Sequence, residues 1–287
     1  MQRVLITGGA GFIGSNLANE LVRKGIHVSI IDNFSTGKKE NINPSVYCWE
    51  QDLTEINFSD LCKYIKDVDV VFHLAAKARI QPSFNRPSKY IETNFGGTYT
   101  IVRACKHKNI PLVYAGSSSH HSGKFKNPYT FSKDLGEDII KLYQLHFGLK
   151  ATIARFYNVY GPNQLTEGGY TTLIGKWLNN IENGIPCEIY GDGKKRRDFT
   201  HVKDIINGLI KIVDLEAYDK VFEFGRGKNY SVNEVAKMLS VKPIYKEDRP
   251  GEAQDTLADY SLAKYVLSWE PKLNLEDYIQ GETYEEN

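Results

Sequence analysis

Short runs of aliphatic and β-branched residues alternate along the first half of the chain with longer stretches in which apolar residues recur every three or four positions. The short runs predict buried strands, and the recurring pattern predicts amphipathic helices. Strands are predicted at residues 3–7, 27–32, 69–74, 112–116 and 151–155, and helices from residue 12 and at 59–66, 88–108 and 129–147. Repeated strand–helix units of this kind indicate a parallel sheet that is covered on both faces.

The pattern changes after Gly161. It predicts helices near 171–182, 202–215 and 232–239, and short strands at 188–190 and 221–225. We therefore predict an α/β fold in which a doubly wound parallel sheet carries a smaller, interleaved C-terminal α+β lobe. Residues 1–165, with a return segment near 198–225, are assigned to the sheet domain, and residues 166–197 and 226–287 to the lobe.

Composition narrows the possible functions. Of the 287 residues, 41% are hydrophobic and 25% are charged, which is the ordinary mixture of a globular protein. The net charge is +1, so no overall field draws the chain to nucleic acid or to an anionic membrane. No segment has the roughly 18 consecutive apolar residues of a membrane span. We expect a cytoplasmic protein whose partners include neither nucleic acid nor membrane.

The cysteines and histidines show no metal-ligand spacing. The four cysteines are far apart along the chain, so we expect reduced thiols and no structural zinc. His120 and His121 are adjacent, but neighbouring side chains diverge and the sequence shows no third ligand beside them. We expect no metal site.

A glycine-rich turn, TGGAGFIG, separates the first predicted strand from the first predicted helix. Gly8, Gly11 and Gly14 allow a tight turn, close approach of the backbone to a pyrophosphate, and close packing of the helix on the strand. The helix N-terminus also offers unpaired N–H groups to the anion. Asp32 ends the second strand, where a carboxylate accepts a hydrogen bond from an adenosine 2′-hydroxyl and repels a 2′-phosphate. The turn therefore predicts a dinucleotide site that prefers NAD to NADP.

Tyr129 and Lys133 are four residues apart at the start of a predicted helix, so they share one of its faces. A phenol with an ordinary pKa of about 10 acts as a base at neutral pH when a nearby cation stabilises the phenolate, and Lys133 is the candidate cation. The run from Ser117 to Ser119 leaves the preceding strand at the carboxyl edge of the sheet, where such folds bind ligands. These residues predict a catalytic Tyr–Lys pair beside a serine hydroxyl.

The glycine turn, the serine run and the segment YTFSK together resemble the extended short-chain dehydrogenase/reductases. Further segments resemble, in order, the successive motifs of nucleotide-sugar 4-epimerases, and this likeness covers nearly the whole chain. They are VSIIDNFSTGKKENI, DVVFHLAAKA, NFGGTYTIVRAC, ARFYNVYGPNQ, IYGDGKKRRDFTHVKDI and RPGEAQDTLADYSLAKYVLSWEPKLNLEDYI. The resemblance implies that the sheet is a Rossmann domain that binds NAD and that the lobe binds a UDP-sugar substrate.

The resemblance also assigns residues to the cofactor. Asp52 and Leu53 are implied to lie by the adenine, and Ala75, Ala76 and Lys77 to line the nicotinamide ribose and the diphosphate. The full set of implied NAD contacts is Gly8, Gly11, Phe12, Ile13, Gly14, Asp32, Asn33, Asp52, Leu53, Ala75, Ala76, Lys77, Tyr129 and Lys133.

For the chemistry, the resemblance implies that Tyr129 is the base and that Ser117 hydrogen-bonds the reacting sugar oxygen. Counting back from Gly123 favours Ser118 instead, so both serines are candidates. The residues implied to contact or steer the sugar are Lys77, Ser118 and Ser119.

The resemblance assigns a second set of residues to the rest of the substrate. Asn158, Arg197 and Arg249 match the family's diphosphate contacts, and a guanidinium group suits a pyrophosphate chemically. Thr256 lies seven residues after Arg249, at a position implied to wall the pocket beside the carbon-2 substituent of the sugar. A tyrosine there leaves room for a hydroxyl, whereas a small residue admits an N-acetyl group. Thr256 and the run GGYTTLIGKW, which contains Trp177, imply a preference for acetylated sugars.

The implied reaction is oxidation and re-reduction at one carbon. Tyr129 removes the 4-hydroxyl proton while hydride passes to NAD, the 4-keto sugar turns beneath the nucleotide, and hydride returns to its other face. We therefore expect an NAD-dependent isomerase that interconverts UDP-N-acetylglucosamine and UDP-N-acetylgalactosamine, with some UDP-glucose/UDP-galactose activity.

Other functions stay open. In the family, a 4,6-dehydratase carries an Asp–Glu pair at the positions that Ser118 and Ser119 occupy here. Because serines occupy these positions, the Glu that marks UDP-glucuronate decarboxylases is missing as well. Asn158 argues mildly against a UDP-glucuronate 4-epimerase, in which Thr is more usual. A 4-ketoreductase that releases its dinucleotide and a catalytically retired NAD- or nucleotide-sugar-binding module are the remaining alternatives.

Two further features concern the loop over the sugar and the assembly. The interval of 12 residues between Ser117 and Tyr129 is shorter than in the family, and His121, Ser122 and Gly123 replace its usual VYG. We expect a shortened sugar-covering loop. The predicted helices at 88–108 and 129–147 correspond to the family's four-helix dimer face, which implies a homodimer.

Overall fold

The computed structural model describes residues 1–281. Its strands are β1 (Arg3–Thr7), β2 (His27–Asp32), β3 (Tyr47–Glu50), β4 (Val70–His73), β5 (Leu112–Ser117), β6 (Ala151–Phe156), β7 (Val159–Tyr160), β8 (Glu188–Tyr190), β9 (Arg196–Asp198), β10 (Thr200–His201), β11 (Val221–Phe224), β12 (Asn229–Ser231) and β13 (Ile244–Lys246). Its α-helices are α1 (Phe12–Arg23), α2 (Phe58–Tyr64), α3 (Gln81–Asn85), α4 (Pro87–Ile91), α5 (Gly97–Lys108), α6 (Pro128–Phe147), α7 (Leu173–Glu182), α8 (Val202–Asp214), α9 (Val232–Met238), α10 (Ser261–Leu267) and α11 (Leu275–Gln280).

The main sheet contains seven strands within the described residues, in the order β11–β6–β5–β4–β1–β2–β3. Every neighbouring pair in it is parallel. The central strands β4, β5 and β6 are buried along their whole length, which is expected when helices cover both faces. This arrangement confirms the predicted doubly wound α/β fold.

Two hydrophobic clusters fill the two faces of this sheet. On one face α1, α8 and α10 bury side chains such as Leu17 and Leu209. On the other face α2, α5 and α6 bury Leu61, Ile101 and Ile140. The sheet is therefore a rigid platform whose carboxyl edge can position functional side chains. Across residues 1–281, no helix combines the length and the apolar character needed to cross a bilayer.

The edge strand β11 comes from the second half of the chain. It pairs with β6, with Val221 opposite Ile153 and Phe224 opposite Phe156. Helix α8 packs so closely beside it that a Cβ at Gly208 would lie 2.4 Å from the Phe224 ring. The chain thus leaves the sheet after β6 and later returns to it through α8 and β11.

A third cluster forms the core of the C-terminal lobe. It joins α7, β8, α9 and α11 around Trp177, Ile189 and Val235. Two small pairings, β12 with β9 and β13 with β8, complete this part of the chain. Residues of the lobe and the strand ends of the sheet line the same cleft.

Several short elements of the second half of the chain were not predicted, and two differences concern the sheet and the site directly. Strand β3 was not predicted, because its four residues are half-buried or exposed and show no apolar run. The helix predicted at 88–108 is instead α4 and α5 joined by a π-helical turn at Glu92–Gly96. The wider turn places the buried side chain of Asn94 against the loop that follows β4, and such turns often occur at functional sites.

Candidate active site

A cleft of about 1060 Å³ opens between the carboxyl ends of the sheet strands and the lobe. A volume of this order is at the upper end of what small-ligand sites require. The residues predicted as site residues from the sequence all line it: Gly8, Gly11, Phe12, Ile13, Gly14, Asp32, Asn33, Asp52, Leu53, Ala75, Ala76, Lys77, Ser117, Ser118, Ser119, Tyr129, Lys133, Asn158, Arg197, Arg249 and Thr256.

The glycine turn forms a tight cradle at one end of the cleft. Gly8 has a φ of +69°, and a Cβ there would lie 2.8 Å from the backbone of Ala75. A Cβ at Gly14 would lie 2.1 Å from the Gly8 carbonyl oxygen, so α1 can approach β1 this closely only with glycine. Gly11, the residue before α1, has no side chain that could cap the first N–H groups of the helix. An uncapped helix N-terminus in a cleft fits a pyrophosphate.

An acidic corner lies at the ends of β2 and β3. The Asp32 carboxylate, 8% exposed, accepts the backbone N–H groups of Ala10 at 2.9 Å and Phe34 at 2.8 Å. Burial raises the pKa of Asp32 above its ordinary value, and these two hydrogen bonds oppose the rise. Beside it, Asn33 Nδ2 donates to Asp52 Oδ2 at 2.8 Å. Carboxylates here suit ribose hydroxyls and repel an added phosphate, so the residues present fit NAD.

Ser117 and Tyr129 meet in the middle of the cleft. Ser117 is the last residue of β5, Tyr129 is the second residue of α6, and their hydroxyl oxygens lie 3.2 Å apart. Ser119 donates to Ser117 Oγ through its N–H at 3.2 Å and its hydroxyl at 2.9 Å. The structure thus brings Ser117 to Tyr129 and sets Ser119 behind Ser117.

Lys133 lies one helical turn after Tyr129 and is buried. Its Nζ lies 4.1 Å from the centre of the Tyr114 ring, a cation–π contact. Burial lowers the pKa of Lys133 to about 7, against the opposing charges of Glu137 and Asp134. A lysine with such a pKa can gain and lose a proton at neutral pH.

Arg79 is a functional candidate that sequence reasoning missed. It has a φ of +82°, unusual for a side chain of this size, and its Nε donates to the Tyr170 carbonyl at 3.1 Å. Burial raises the pKa of Tyr129, whereas the hydrogen bond with Ser117 and the charge of Arg79 lower it. Arg79 therefore brings positive charge to the phenol, a role predicted for Lys133. The sequence carries no local signal for this, because the contact depends on how the loop after β4 turns.

Asn94 ties this loop to the helix that carries Tyr129. Its Oδ1 accepts the Lys77 N–H at 2.7 Å, and its Nδ2 donates to the Lys77 carbonyl at 2.9 Å and to Ser132 Oγ at 2.9 Å. Ser132 Oγ in turn donates to the Tyr129 carbonyl at 2.8 Å. Sequence reasoning missed Asn94, whose signal is a buried amide inside a helix.

His73 sits beneath the site as a neutral imidazole. Its Nδ1 lies 2.6 Å from Thr7 Oγ1 and its Nε2 lies 2.9 Å from Thr98 Oγ1. Burial lowers the pKa of His73 to about 3, and the charge of Lys133 adds to this effect. Because Thr98 Oγ1 donates to the Asn94 carbonyl, it accepts the Nε2 proton of His73.

The lobe end of the cleft is basic. Arg197 Nη2 lies 3.5 Å from Glu252 Oε2, and the Arg249 guanidinium lies 3.1 Å from the centre of the Tyr190 ring. Lys195, 6% exposed, lies 3.4 Å from the same Glu252 oxygen. Sequence reasoning missed Lys195, although it stands two residues before Arg197, so strand alternation puts both on one face. Three cations at this end suit a diphosphate.

Asn158 and Thr256 form one wall of the cleft. Asn158 Nδ2 donates to the Asp198 carbonyl at 2.8 Å and to Thr256 Oγ1 at 3.3 Å. Thr256 Oγ1 also accepts the Asp198 N–H at 3.2 Å. The small side chain of Thr256 is thus held in place by hydrogen bonds from two directions.

The chain is similar to known proteins. Residues 4–225 match the model of a family described as the NAD dependent epimerase/dehydratase family. A UDP-N-acetyl-alpha-D-glucosaminuronate decarboxylase of Bacillus cytotoxicus is 32% identical over 256 residues, 82% of this chain and 78% of that protein.

Two solved structures have the same fold. One is the UDP-glucose 4-epimerase of Thermotoga maritima with UDP-glucose, at a TM-score of 0.90 and 28% identity, covering 97% of this chain and 96% of that one. The other is the UDP-N-acetylglucosamine 4-epimerase of Methanobrevibacter ruminantium M1 in complex with UDP-N-acetylmuramic acid, at a TM-score of 0.88 and 31% identity. That alignment covers 97% of this chain and 95% of the other.

Proposed function

The chain belongs to the NAD-dependent epimerase/dehydratase family, and from that premise we propose that it is a 4-epimerase that interconverts UDP-N-acetylglucosamine and UDP-N-acetylgalactosamine. The observation that carries this proposal is the pair of hydroxyl oxygens of Ser117 and Tyr129, 3.2 Å apart in the cleft that also holds the glycine turn. A half-buried base beside a hydroxyl, at a dinucleotide site, suits proton removal from an alcohol that is being oxidised. We include a weaker activity on UDP-glucose and UDP-galactose, since a roomy pocket holds the smaller sugar loosely.

Bound NAD supplies reversible hydride transfer at a carbon that bears a hydroxyl group. The chain supplies the proton transfer. Tyr129, as a phenolate, takes the proton of the sugar 4-hydroxyl, and Arg79 and Lys133 add positive charge around it. A hydroxyl oxygen accepts two hydrogen bonds and donates one. Because Ser119 provides two donors to Ser117 Oγ, the proton of Ser117 can be given to the phenolate or to the sugar oxygen.

In this proposal the nucleotide end of the substrate stays bound while its sugar end rotates. Lys195, Arg197 and Arg249 hold the diphosphate, with Asn158 beside them. Epimerisation requires the sugar to present both of its faces to the same cofactor position. The nucleotide end must therefore stay bound while the hexose rotates within the cleft.

The test is turnover of a panel of nucleotide sugars by purified protein, followed by NMR without added NADH. We expect each acetylated sugar to convert to a mixture of the two C4 epimers with no net change of cofactor. Consumption of added NADH with a 4-keto sugar would indicate a reductase instead. Release of carbon dioxide from a uronate would indicate a decarboxylase, and bound NAD without turnover would indicate a binding module.

We also propose that two copies associate through α5 and α6. The support is an aromatic patch in which the Tyr99 and Tyr143 rings lie 6.4 Å apart and the Tyr143 and Phe147 rings 4.8 Å apart. Phe147 in this patch is 50% exposed in the single chain. Exposed apolar patches of this kind usually mark interfaces. Light scattering on the wild type and on Phe147→Glu tests it, with dimer and monomer respectively expected.

A further inference from the structure

The turn that follows Ser117 is attached to two other elements of the fold. It is a 3₁₀ turn at Ser118–Ser122, capped by Ser117, and it includes His120 and His121. The family resemblance implies that this loop is shortened, and His121 is among the residues that stand in place of the usual VYG. Each histidine lies within hydrogen-bond distance of a carboxylate from a different element.

The first contact ties the turn to the catalytic helix. His120 Nδ1 lies 2.9 Å from Asp134 Oδ1, and Asp134 is 5% exposed and directly follows Lys133 on α6. A carboxylate this buried is costly without a hydrogen-bonded partner, and His120 provides one. The turn cannot shift from α6 without leaving that oxygen unsatisfied.

The second contact ties the turn to the edge of the sheet. His121 Nε2 bonds to Glu223 Oε1 on β11. The other oxygen of Glu223 accepts the Tyr157 hydroxyl at 2.7 Å, which fixes the carboxylate in place. The turn therefore has one attachment on each side.

Arg155 on β6 already pairs with the glutamate carboxylates that lie between these two attachments. Arg155 donates to both oxygens of Glu137, at 3.0 and 2.6 Å, and its Nη1 lies 3.6 Å from Glu223 Oε1. His120, Asp134 and Glu137 offer ligand atoms within 4.8 Å of one another, as a metal site would. A guanidinium group bonded to both Glu137 oxygens competes with a metal ion for them, so the cluster is better described as a charge network.

We propose that His120 and His121 are positioning residues: by clamping the Ser118–Ser122 turn to α6 and β11, they hold Ser119 against Ser117 and so orient the Ser117 hydroxyl toward Tyr129. Ser119 directly precedes His120, so movement of the histidine moves both donors to Ser117 Oγ. The expected effect on kcat rests on the proposed function, whereas the expected effect on the hydrogen bond between Ser117 and Tyr129 rests on geometry alone.

The kinetic test compares two substitutions at one position. His120→Ala removes the donor to Asp134, whereas in His120→Asn the amide nitrogen occupies the place of Nδ1 and can keep it. We expect kcat to fall about tenfold or more in His120→Ala with KM changed less than about twofold, and to recover in His120→Asn. His27→Ala, at an exposed site at the start of β2, is the control for loss of a histidine.

A double-mutant comparison tests the partner. If the clamp acts through Asp134, kcat in His120→Ala/Asp134→Asn falls no further than in the worse single variant. Melting temperature and bound NAD are measured for each variant so that a loss of fold is recognised. A kcat for His120→Ala within twofold of the wild type, a His120→Asn variant as slow as His120→Ala, or a rise in KM alone would each overturn the proposal.

A second readout needs no turnover and separates this inference from the proposed function. In protein labelled with [¹³Cζ]tyrosine, the resonance missing from Tyr129→Phe reports the pKa of Tyr129, which faces the charges of Arg79 and Asp134. The hydrogen bond with Ser117 lowers that pKa, so we expect it to rise in His120→Ala and to return in His120→Asn. An unchanged titration would overturn the clamp even if the protein is an epimerase. A shifted titration in a protein without epimerase activity would leave the clamp standing and remove the proposed function.

Discussion

Ser117 and Tyr129 come from different elements, the end of β5 and the start of α6, yet their hydroxyl oxygens lie 3.2 Å apart. Because Ser119 provides two donors to Ser117 Oγ, the Ser117 proton is free to point at Tyr129 when Tyr129 is a phenolate. The two side chains are therefore close enough to share a proton across one hydrogen bond.

Removal of the phenol should abolish this transfer while leaving the fold intact. We expect Tyr129→Phe to retain bound NAD and to lose about 10²-fold or more in kcat, because the positioned base is gone. Tyr265→Phe, at an exposed position on α10, is the matched control and should keep full activity. Near wild-type turnover by Tyr129→Phe would remove the tyrosine from the mechanism.

The charge of Arg79 should set the acidic limit of activity. Because this charge lowers the pKa of Tyr129, Arg79→Gln should raise that pKa and move the acidic limb of kcat/KM to higher pH. Arg79→Gly loses the same charge but relieves the φ of +82°, so its pH profile should match that of Arg79→Gln while its melting temperature is higher. An acidic limb that does not move in either variant would contradict this role.

Cofactor choice should depend on Asp32. Its carboxylate lies where a 2′-phosphate would be repelled, so Asp32→Asn should lower the preference for NAD over NADP by about tenfold or more. Asp32→Ser should in addition weaken NAD binding, because the shorter side chain loses the oxygen that holds the Ala10 N–H. Dissociation constants for both cofactors measure this. Equal affinities for NAD and NADP in the wild type would show that Asp32 does not face the ribose.

Thr256 should decide which sugars are accepted. Thr256→Tyr should abolish turnover of the N-acetylated pair, by about 10²-fold or more in kcat/KM, and spare UDP-glucose, since steric exclusion acts on the carbon-2 substituent. Thr256→Val removes the hydrogen bonds from Asn158 and Asp198 but keeps the volume, so it should retain both activities. If both sugars fall equally in Thr256→Tyr, or if Thr256→Val behaves like it, pocket size is not the cause.

The buried His73 should make stability depend on pH. Its pKa is lowered from 6.5 to about 3, so between these values the unfolded chain binds a proton that the folded chain does not. The free energy of unfolding should therefore fall by about 1.4 kcal/mol per pH unit from this group as the pH drops below 6.5. Urea titrations of the wild type and His73→Gln between these limits measure the difference in slope. Parallel slopes would show that His73 is protonated in the folded protein.

Local patterns predicted those elements whose residues carry their own signal. Strand β2 has its predicted bounds, because four of its six residues are buried and three are β-branched. The glycine turn, Asp32 and the serine run could be placed at one site because parallel strands end at one edge of the sheet. Asn158, Arg197, Arg249 and Thr256 were found through the family resemblance alone. Strand β3 lies at the edge of the sheet and is only partly buried, so its pattern is weak.

Contacts between distant residues could not be found in this way. Arg79 bonds to a carbonyl 91 positions away, and Asn94 bonds to a serine 38 positions away. Neither partner is marked by any periodicity, since the first contact lies between two loops and the second joins a π-helical turn to α6. The anchoring of the turn after Ser117 by Asp134 and Glu223 has the same origin.

The return of the chain to the sheet through β11 limits how the protein can be cut or recombined. A fragment that ends near residue 165 would expose the outer edge of β6, an unpaired strand of six buried residues and a template for aggregation. The lobe segment between β6 and α8 is thus joined to the sheet domain at both ends, whereas the segment after β11 does not return to a strand of the sheet within the described residues. A chimera that takes both lobe segments from a relative therefore needs a junction on each side of the first segment and one after β11, with α8 and β11 retained from the parent.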